Sequence, residues 1–113
     1  MQVQITGQHL DLTEAIKQYV DEKIGRLDRY FDQVLNARVV LKHLAHEKLS
    51  NVVEITVHAS GHEFHAEMHD ADMYAAIDLV ADKLESQVRQ YKDRLQNHRA
   101  ERPGALAAAL EAD

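Results

Sequence analysis

The chain has 113 residues, of which 45% are hydrophobic and 28% charged, with no cysteine and a formal net charge of −6. That length suits one domain and that balance suits a packed core, while the missing thiols exclude disulfides and thiolate chemistry. No apolar run approaches the roughly 20 residues that cross a bilayer, and an acidic chain lacks the overall positive field of a generic nucleic-acid binder.

The first residues, Met1 to Thr6, alternate as a short strand with Val3 and Ile5 on one face. They lack the charged and apolar regions of a signal peptide, so the expectation is a cytoplasmic protein. Thr13 or Asp11 is placed to cap a following helix over 12–30, whose apolar residues Ile16, Tyr19, Val20, Ile24, Leu27 and Tyr30 form one stripe. Gly25 weakens that helix by up to about 1 kcal/mol relative to Ala. Residues 37–44 are rich in β-branched and aliphatic side chains and predict a second strand. A loop over 46–51 leads to a third strand, in which Val53, Ile55, Val57 and Ala59 alternate with Glu54, Thr56, His58 and Ser60. Ser60-Gly61-His62 signals a hairpin, and Phe64, Ala66 and Met68 carry a fourth strand.

Asp70 or Asp72 opens the last helix. Its stripe, Met73, Ile77, Val80, Leu84, Val88, Tyr91 and Leu95, holds a three-and-four spacing for about six turns. Pro103-Gly104 stops it, and the alanine-rich tail that follows is a frayed helix or disordered. The expected class is α+β with order β-α-β-β-β-α: a four-stranded mixed sheet with both helices packed on one face. The first helix makes the first two strands parallel neighbours. The other sheet face, with Glu54, His58, His65 and Glu67, is left to solvent. The domain is expected over 1–98, with a flexible tail over 99–113.

Charge is unevenly distributed. Between Lys83 and Arg102 six basic residues face three acidic ones, a net +3, so the remainder carries −9. Phosphate contacts act within about one Debye length, roughly 8 Å, so a local basic surface on an acidic body can still dock on RNA. The candidate RNA-binding residues are Lys23, Arg26 and Arg29 on the first helix and Lys83, Arg89, Lys92 and Arg94 on the second. Lys83 and Arg94 fall on one flank of the second helix's stripe, Lys92 on the other, and Arg89 further outward. Some of these cations are expected to rim a groove between the helices. The plainer account is a pair of solvated helix faces with i to i+4 pairs such as Glu22–Arg26 and Glu85–Arg89.

Eight histidines are many for this length. His58, His65 and His69 share the open face with Glu63 and Glu67, but alternating strand residues stand too far apart to chelate without a cross-strand partner, so no metal is expected. Protonating all eight would move the formal charge from −6 to +2, so RNA affinity is expected to rise between about pH 7.5 and 6 if the histidines matter. No nucleophile elbow, phosphate loop or dinucleotide glycine pattern occurs, so neither catalysis nor a cofactor is expected. Asp78 and Asp82, spaced i to i+4, are expected to face solvent.

Several runs then resemble one family in the same order. They are Gln4-Ile5-Thr6-Gly7, Leu12-Thr13-Glu14-Ala15-Ile16, Lys23-Ile24-Gly25-Arg26-Leu27, Tyr30-Phe31-Asp32 and Asp72-Met73-Tyr74-Ala75-Ala76-Ile77-Asp78, with Asp82-Lys83-Leu84, Gln87, Tyr91-Lys92 and Leu95 beyond. Together they look like the ribosome hibernation and translation-inhibitor family over residues 1 to about 98. The resemblance implies the same β-α-β-β-β-α domain. It implies binding to the small ribosomal subunit and its rRNA in the channel of messenger and transfer RNA, silencing translation when growth stops.

The family tends to place basic residues where this chain has Lys23, Arg26, Lys83, Lys92 and Arg94. Ser86 and Gln90 stand where cations are common. Arg89 and Arg99 are placed to compensate. The chain resembles short members, without the extra C-terminal domain of long ones. Its tail, with only Glu111 and Asp113 as acids, leans toward the type that promotes ribosome pairing with a second small ribosome-dimerisation factor. No membrane and no small-molecule substrate are implied. The competing reading is a non-ribosomal protein-interaction module that uses the open sheet face or the tail.

Overall fold

The computed structural model describes residues 1–31 and 33–100, with side chains through residue 95. Strand β1 (Gln2–Gln8) alternates exposed Gln2, Gln4, Thr6 and Gln8 with half-buried Val3, Ile5 and Gly7. It runs two residues past the expected end because β2 (Val34–His43) supplies a parallel partner for every residue, from Gln2 opposite Asn36 to Gln8 opposite Lys42. The chain then doubles back. A Cβ at Gly7 would stand 2.8 Å from the Leu10 carbonyl oxygen, so glycine is required there. His9 completes the turn with φ 57°.

Helix α1 (Glu14–Tyr30) begins at Thr13, not Asp11: the Thr13 hydroxyl accepts from the Ile16 N–H at 3.2 Å with the cap residue extended. A cap of this kind is worth about 1 kcal/mol. Ile16, Val20, Ile24 and Leu27 are buried at steps of four, four and three. Each such side chain contributes about 1.5–3 kcal/mol on leaving water. The helix stops where Phe31 turns extended, its N–H still donating to Leu27 O. Gly25 needs no special explanation from packing, since a Cβ there would meet nothing within 4 Å.

Strand β2 starts three residues earlier than its β-branched run suggests. A register shift between Val34 and Asn36 interrupts the alternation and leaves Leu35 exposed. The bulge hides the strand's first residues from a period-two reading. Strands β3 (Asn51–Ala59) and β4 (His62–Asp70) are joined through Ser60 and Gly61, and Gly61 takes φ +80°, the sign a type II turn demands at its third position. Helix α2 (Met73–Ala100) opens at Asp72, whose carboxylate accepts from the Tyr74 N–H at 3.1 Å. Asp70 shapes the preceding turn by accepting from the Asp72 N–H at 2.9 Å. The expected stop at Pro103-Gly104 and the tail from residue 101 lie outside the described residues.

The sheet order is β1-β2-β3-β4, with β1 and β2 parallel and the other pairs antiparallel. Val39, Leu41, Val53, Ile55, Val57, Phe64 and Ala66 form a buried inner face beneath the helices. Ile24 and Leu27 of α1 and Ile77, Val80, Leu84 and Val88 of α2 close the same core. The opposite face carries four cross-strand rows: Gln2-Asn36-His58-Glu63, Gln4-Arg38-Thr56-His65, Thr6-Val40-Glu54-Glu67 and Gln8-Lys42-Val52-His69. One member of this face departs from the wet pattern, because Val52 is buried.

The seam between the helices as a candidate nucleic-acid interface

Side-chain contacts join the two helices. Tyr19 of α1 meets Tyr74 of α2 edge to face, with centroids 5.0 Å apart. One turn on, the Lys23 ammonium lies 3.2 Å from Asp78 Oδ1. At the far end Lys92 Nζ donates to the Tyr30 carbonyl oxygen at 2.9 Å. The partners ascend together along both chains, so α1 and α2 run in the same direction.

Asp78 is the hinge of this seam. Its Oδ1 accepts from the Tyr19 hydroxyl at 2.6 Å as well as pairing with Lys23. The Tyr19 bond, and then Lys23, hold its carboxyl below the usual carboxylate range against the opposing effect of burial. The same hydrogen bond, with burial and the negative charge adding to it, pushes the Tyr19 phenol up to about 12. Asp78 keeps 43% of its side chain exposed, in line with the expectation that it faces solvent, but it is engaged there rather than free. At about 3.6 residues per turn, spacing along α2 put Asp78 off the apolar stripe, but only the neighbouring helix shows that Tyr19 and Lys23 reach it there.

Six of the seven candidate cations divide into three groups. Lys23 and Lys92 are engaged within the protein. The Lys23 side chain is 20% exposed and its ammonium also lies 5.4 Å from the Tyr19 ring centroid. Lys92 sits 4.5 Å from the Tyr30 ring centroid while it caps the carbonyl end of α1. Arg26, Arg29 and Lys83 are exposed and enter no ion pair among the described residues. Arg89 pairs with Glu85 at 3.4 Å, one of the two expected local pairs. Glu22–Arg26 does not form an ion pair, whereas Lys17 approaches Glu14 at 3.7 Å.

Flank matters as well. Asp78, Glu85 and Lys92 follow one line at heptad spacing, the line that faces α1. Gln87, on the other flank, donates to the His65 carbonyl of β4 at 2.9 Å. Lys83 lies one turn before Gln87 and Arg94 two turns after it, so these two cations stand on the β4 side. The seam itself holds Lys23 and Lys92, with Arg26 close enough to act on Asp78, while Arg89 stays exposed beside Glu85 as expected.

Sequence reading missed the two tyrosines and Asp78 as members of the site. The signal available was the pair of i to i+4 steps, Tyr19 to Lys23 and Tyr74 to Asp78, which place aromatic and charged groups along single flanks.

On the open face the register brings His58 opposite Glu63 and His65 opposite Thr56. His58 Nδ1 lies 3.8 Å from Glu63 Oε1, and Thr56 Oγ1 lies 2.9 Å from His65 Nδ1. His69 Nε2 stands 3.2 Å from Glu67 Oε2 and is the main cause holding the Glu67 carboxyl below its usual range. Among the described residues no group of three or more His, Asp or Glu is arranged to hold a metal ion. No described helix is long and apolar enough to cross a membrane.

The fold and its seam define a small β-α-β-β-β-α domain with a helix layer bearing all seven candidate cations. Residues 3–96 match the family described as Sigma 54 modulation protein / S30EA ribosomal protein, and the chain belongs to that family. It is 77% identical over 78 residues to a ribosome hibernation promoting factor of Acidithiobacillus ferridurans, covering 69% of this chain and all of that one. A ribosome hibernation promoting factor of Azotobacter vinelandii is 44% identical over 104 residues, covering 91% of this chain and 94% of its relative. The structure of a ribosomal subunit interface protein from Coxiella burnetii superposes with TM-score 0.74 at 30% identity, covering 82% of this chain and 99% of that one.

Proposed function

We propose that this chain, whose family is one of ribosome-associated hibernation factors, binds the small ribosomal subunit in the channel of messenger and transfer RNA and silences translation in stationary phase. It acts by occupying the channel, in the cytoplasm, and no covalent chemistry is required. Residues 1–98 form the ribosome-binding unit, and 99–113 act as a tail. The few acids over residues 103–113, Glu111 and Asp113, favour promotion of inactive ribosome dimers together with a second small dimerisation factor.

The observation that carries the reading is the helix layer. Arg26, Arg29 and Lys83 are exposed there without ion-pair partners among the described residues, ready to meet phosphates. Lys23, Arg89, Lys92 and Arg94 extend the same basic layer. Lys23 and Lys92 also hold the helices together, so reversing their charge would disturb fold and binding at once. The clean perturbation is the triple variant Arg26→Gln, Arg29→Gln, Lys83→Gln.

Sucrose-gradient sedimentation with purified ribosomes is the test. Wild-type protein is expected to travel with the small subunit, to lose affinity linearly in log salt, and to shift ribosomes toward pairs when the second factor is present. The triple variant is expected to fold normally and to flatten the salt slope by about 2 to 3, since each lost phosphate contact removes about 0.7–0.9. Wild-type affinity and slope in the variant would remove this surface. Failure of the wild type to sediment with ribosomes would remove the function.

A further inference from the structure

Among the described residues five large apolar side chains remain exposed: Leu35, Leu44, Leu49, Tyr74 and Leu79. Leu35 belongs to the β2 bulge, and Leu44 and Leu49 to the connection between β2 and β3. Leu79 lies on α2 without an aromatic or cationic neighbour among the described contacts. Tyr74 is different. It is 39% exposed, yet its ring rests against a second aromatic ring and its backbone is pinned at the start of α2.

Its ring stands against Tyr19 at an interplanar angle of 88°. Tyr19 is fixed at its other end by the 2.6 Å bond to Asp78. Tyr74's own N–H is held by the Asp72 carboxylate at the start of α2. The Lys23 ammonium completes the group, 5.4 Å from the Tyr19 centroid and paired with Asp78. Asp70 and Asp72 accept from backbone amides, and Asp78 is engaged by Tyr19 and Lys23. The Tyr74 hydroxyl has no hydrogen-bond partner among the described residues.

An exposed ring ordered before binding gives up little side-chain freedom when something flat is laid on it. An exposed aromatic ring on a phosphate-binding surface suits a nucleotide whose base is unpaired, because every base presents a π-face and stacking tolerates any sequence. A paired base keeps its faces covered by its neighbours in the duplex. We infer that Tyr74, braced by Tyr19, is a stacking platform for one unpaired nucleobase of the RNA that the helix layer engages. The inference rests on the proposed function and adds to it a contact that carries no charge.

Absence of charge supplies the test. Wild type, Tyr74→Phe and Tyr74→Leu are compared for affinity to isolated small subunits across a salt series, with thermal melts as a check on folding. Tyr74→Phe is expected to bind within about twofold of wild type. Tyr74→Leu is expected to bind at least about fivefold more weakly, with the same salt slope, because no phosphate contact has been removed. Base-specific chemical probing of the subunit RNA gives the second readout. One unpaired base is expected to change reactivity with wild type and Tyr74→Phe but not with Tyr74→Leu. Equal affinity of all three proteins, or no base whose reactivity depends on residue 74, would overturn the platform. Loss of subunit binding by wild type itself would instead overturn the proposed function.

Discussion

Lys92 offers the sharpest test of how the helix pair is built. Its ammonium meets the Tyr30 carbonyl at 2.9 Å and lies 4.5 Å from the Tyr30 ring centroid. Tyr30 is the last residue of α1, where carbonyls lack intrahelical partners and the macrodipole favours a cation. A hydrogen bond to a charged group is worth about 1.5–3 kcal/mol. A partly exposed cation–π contact adds about 0.5–1 kcal/mol. The two share one ammonium and do not add fully, and water replaces part of the lost bond in Lys92→Met. The expected loss is about 1–2 kcal/mol, or a fall of roughly 4–16 °C in Tm for a domain of this size.

Urea unfolding followed by circular dichroism measures it. Lys92→Met is expected to lower the midpoint with the slope m unchanged. Lys83→Met, on an exposed residue without an ion pair among the described residues, is expected to stay within about 0.5 kcal/mol of wild type. Lys92→Glu is expected to lose more than Lys92→Met, since it brings a carboxylate to a carbonyl. Equal midpoints for Lys92→Met and wild type would refute the capping role and return Lys92 to the solvated cations.

The two glycines should respond oppositely to alanine: Gly25→Ala, with open space around the new methyl, is expected to raise stability by up to about 1 kcal/mol, while Gly7→Ala, pressed against the Leu10 carbonyl, is expected to lose about 1–3 kcal/mol, both read from urea midpoints. The Tyr19–Asp78 bond predicts a pH signature at both ends of the scale. Asp78 is depressed in the folded state, so its contribution is present above its unfolded value of 3.8 and fades as pH falls through the folded value. Asp78→Asn is expected to lack that part of the acid-side loss. Tyr19 is raised, so its contribution is present below 10.0 and is lost as pH rises toward about 12. Stability of Tyr19→Phe is expected to lack that alkaline decline, and identical pH profiles for variant and wild type would argue against the bond.

Much of this architecture is legible in the residues. Six elements follow from two periodicities, because a helix repeats near 3.6 and a strand repeats at 2 whatever surrounds them. The stripe from Ile16 to Leu27 and the alternation from Val53 to Ala59 each bury one face, and local chemistry names the ends: Thr13 at one helix start, Asp72 at the other, Gly61 in the hairpin. The β2 bulge escaped because two residues there oppose one, which shifts the period that the reading relies on. The extension of β1 to Gln8 escaped because a parallel ladder, not composition, holds Gly7 and Gln8 in line.

The site divides along the same line. Sequence alone determined which residues carry positive charge, which helix bears each one, and roughly which flank it occupies, since charge and helical phase are local properties. Only the tertiary structure decided what each cation is free to do. Parallel packing of α1 and α2 set Lys23 against Asp78 and Lys92 against the Tyr30 carbonyl, and left Arg26, Arg29 and Lys83 exposed without ion-pair partners among the described residues. It also brought Tyr19 to Tyr74 across 55 positions of chain. Such contacts depend on which turn of one helix lies beside which turn of the other. That phase is fixed by interlocking side chains in the shared core, and no single stretch of the chain contains it.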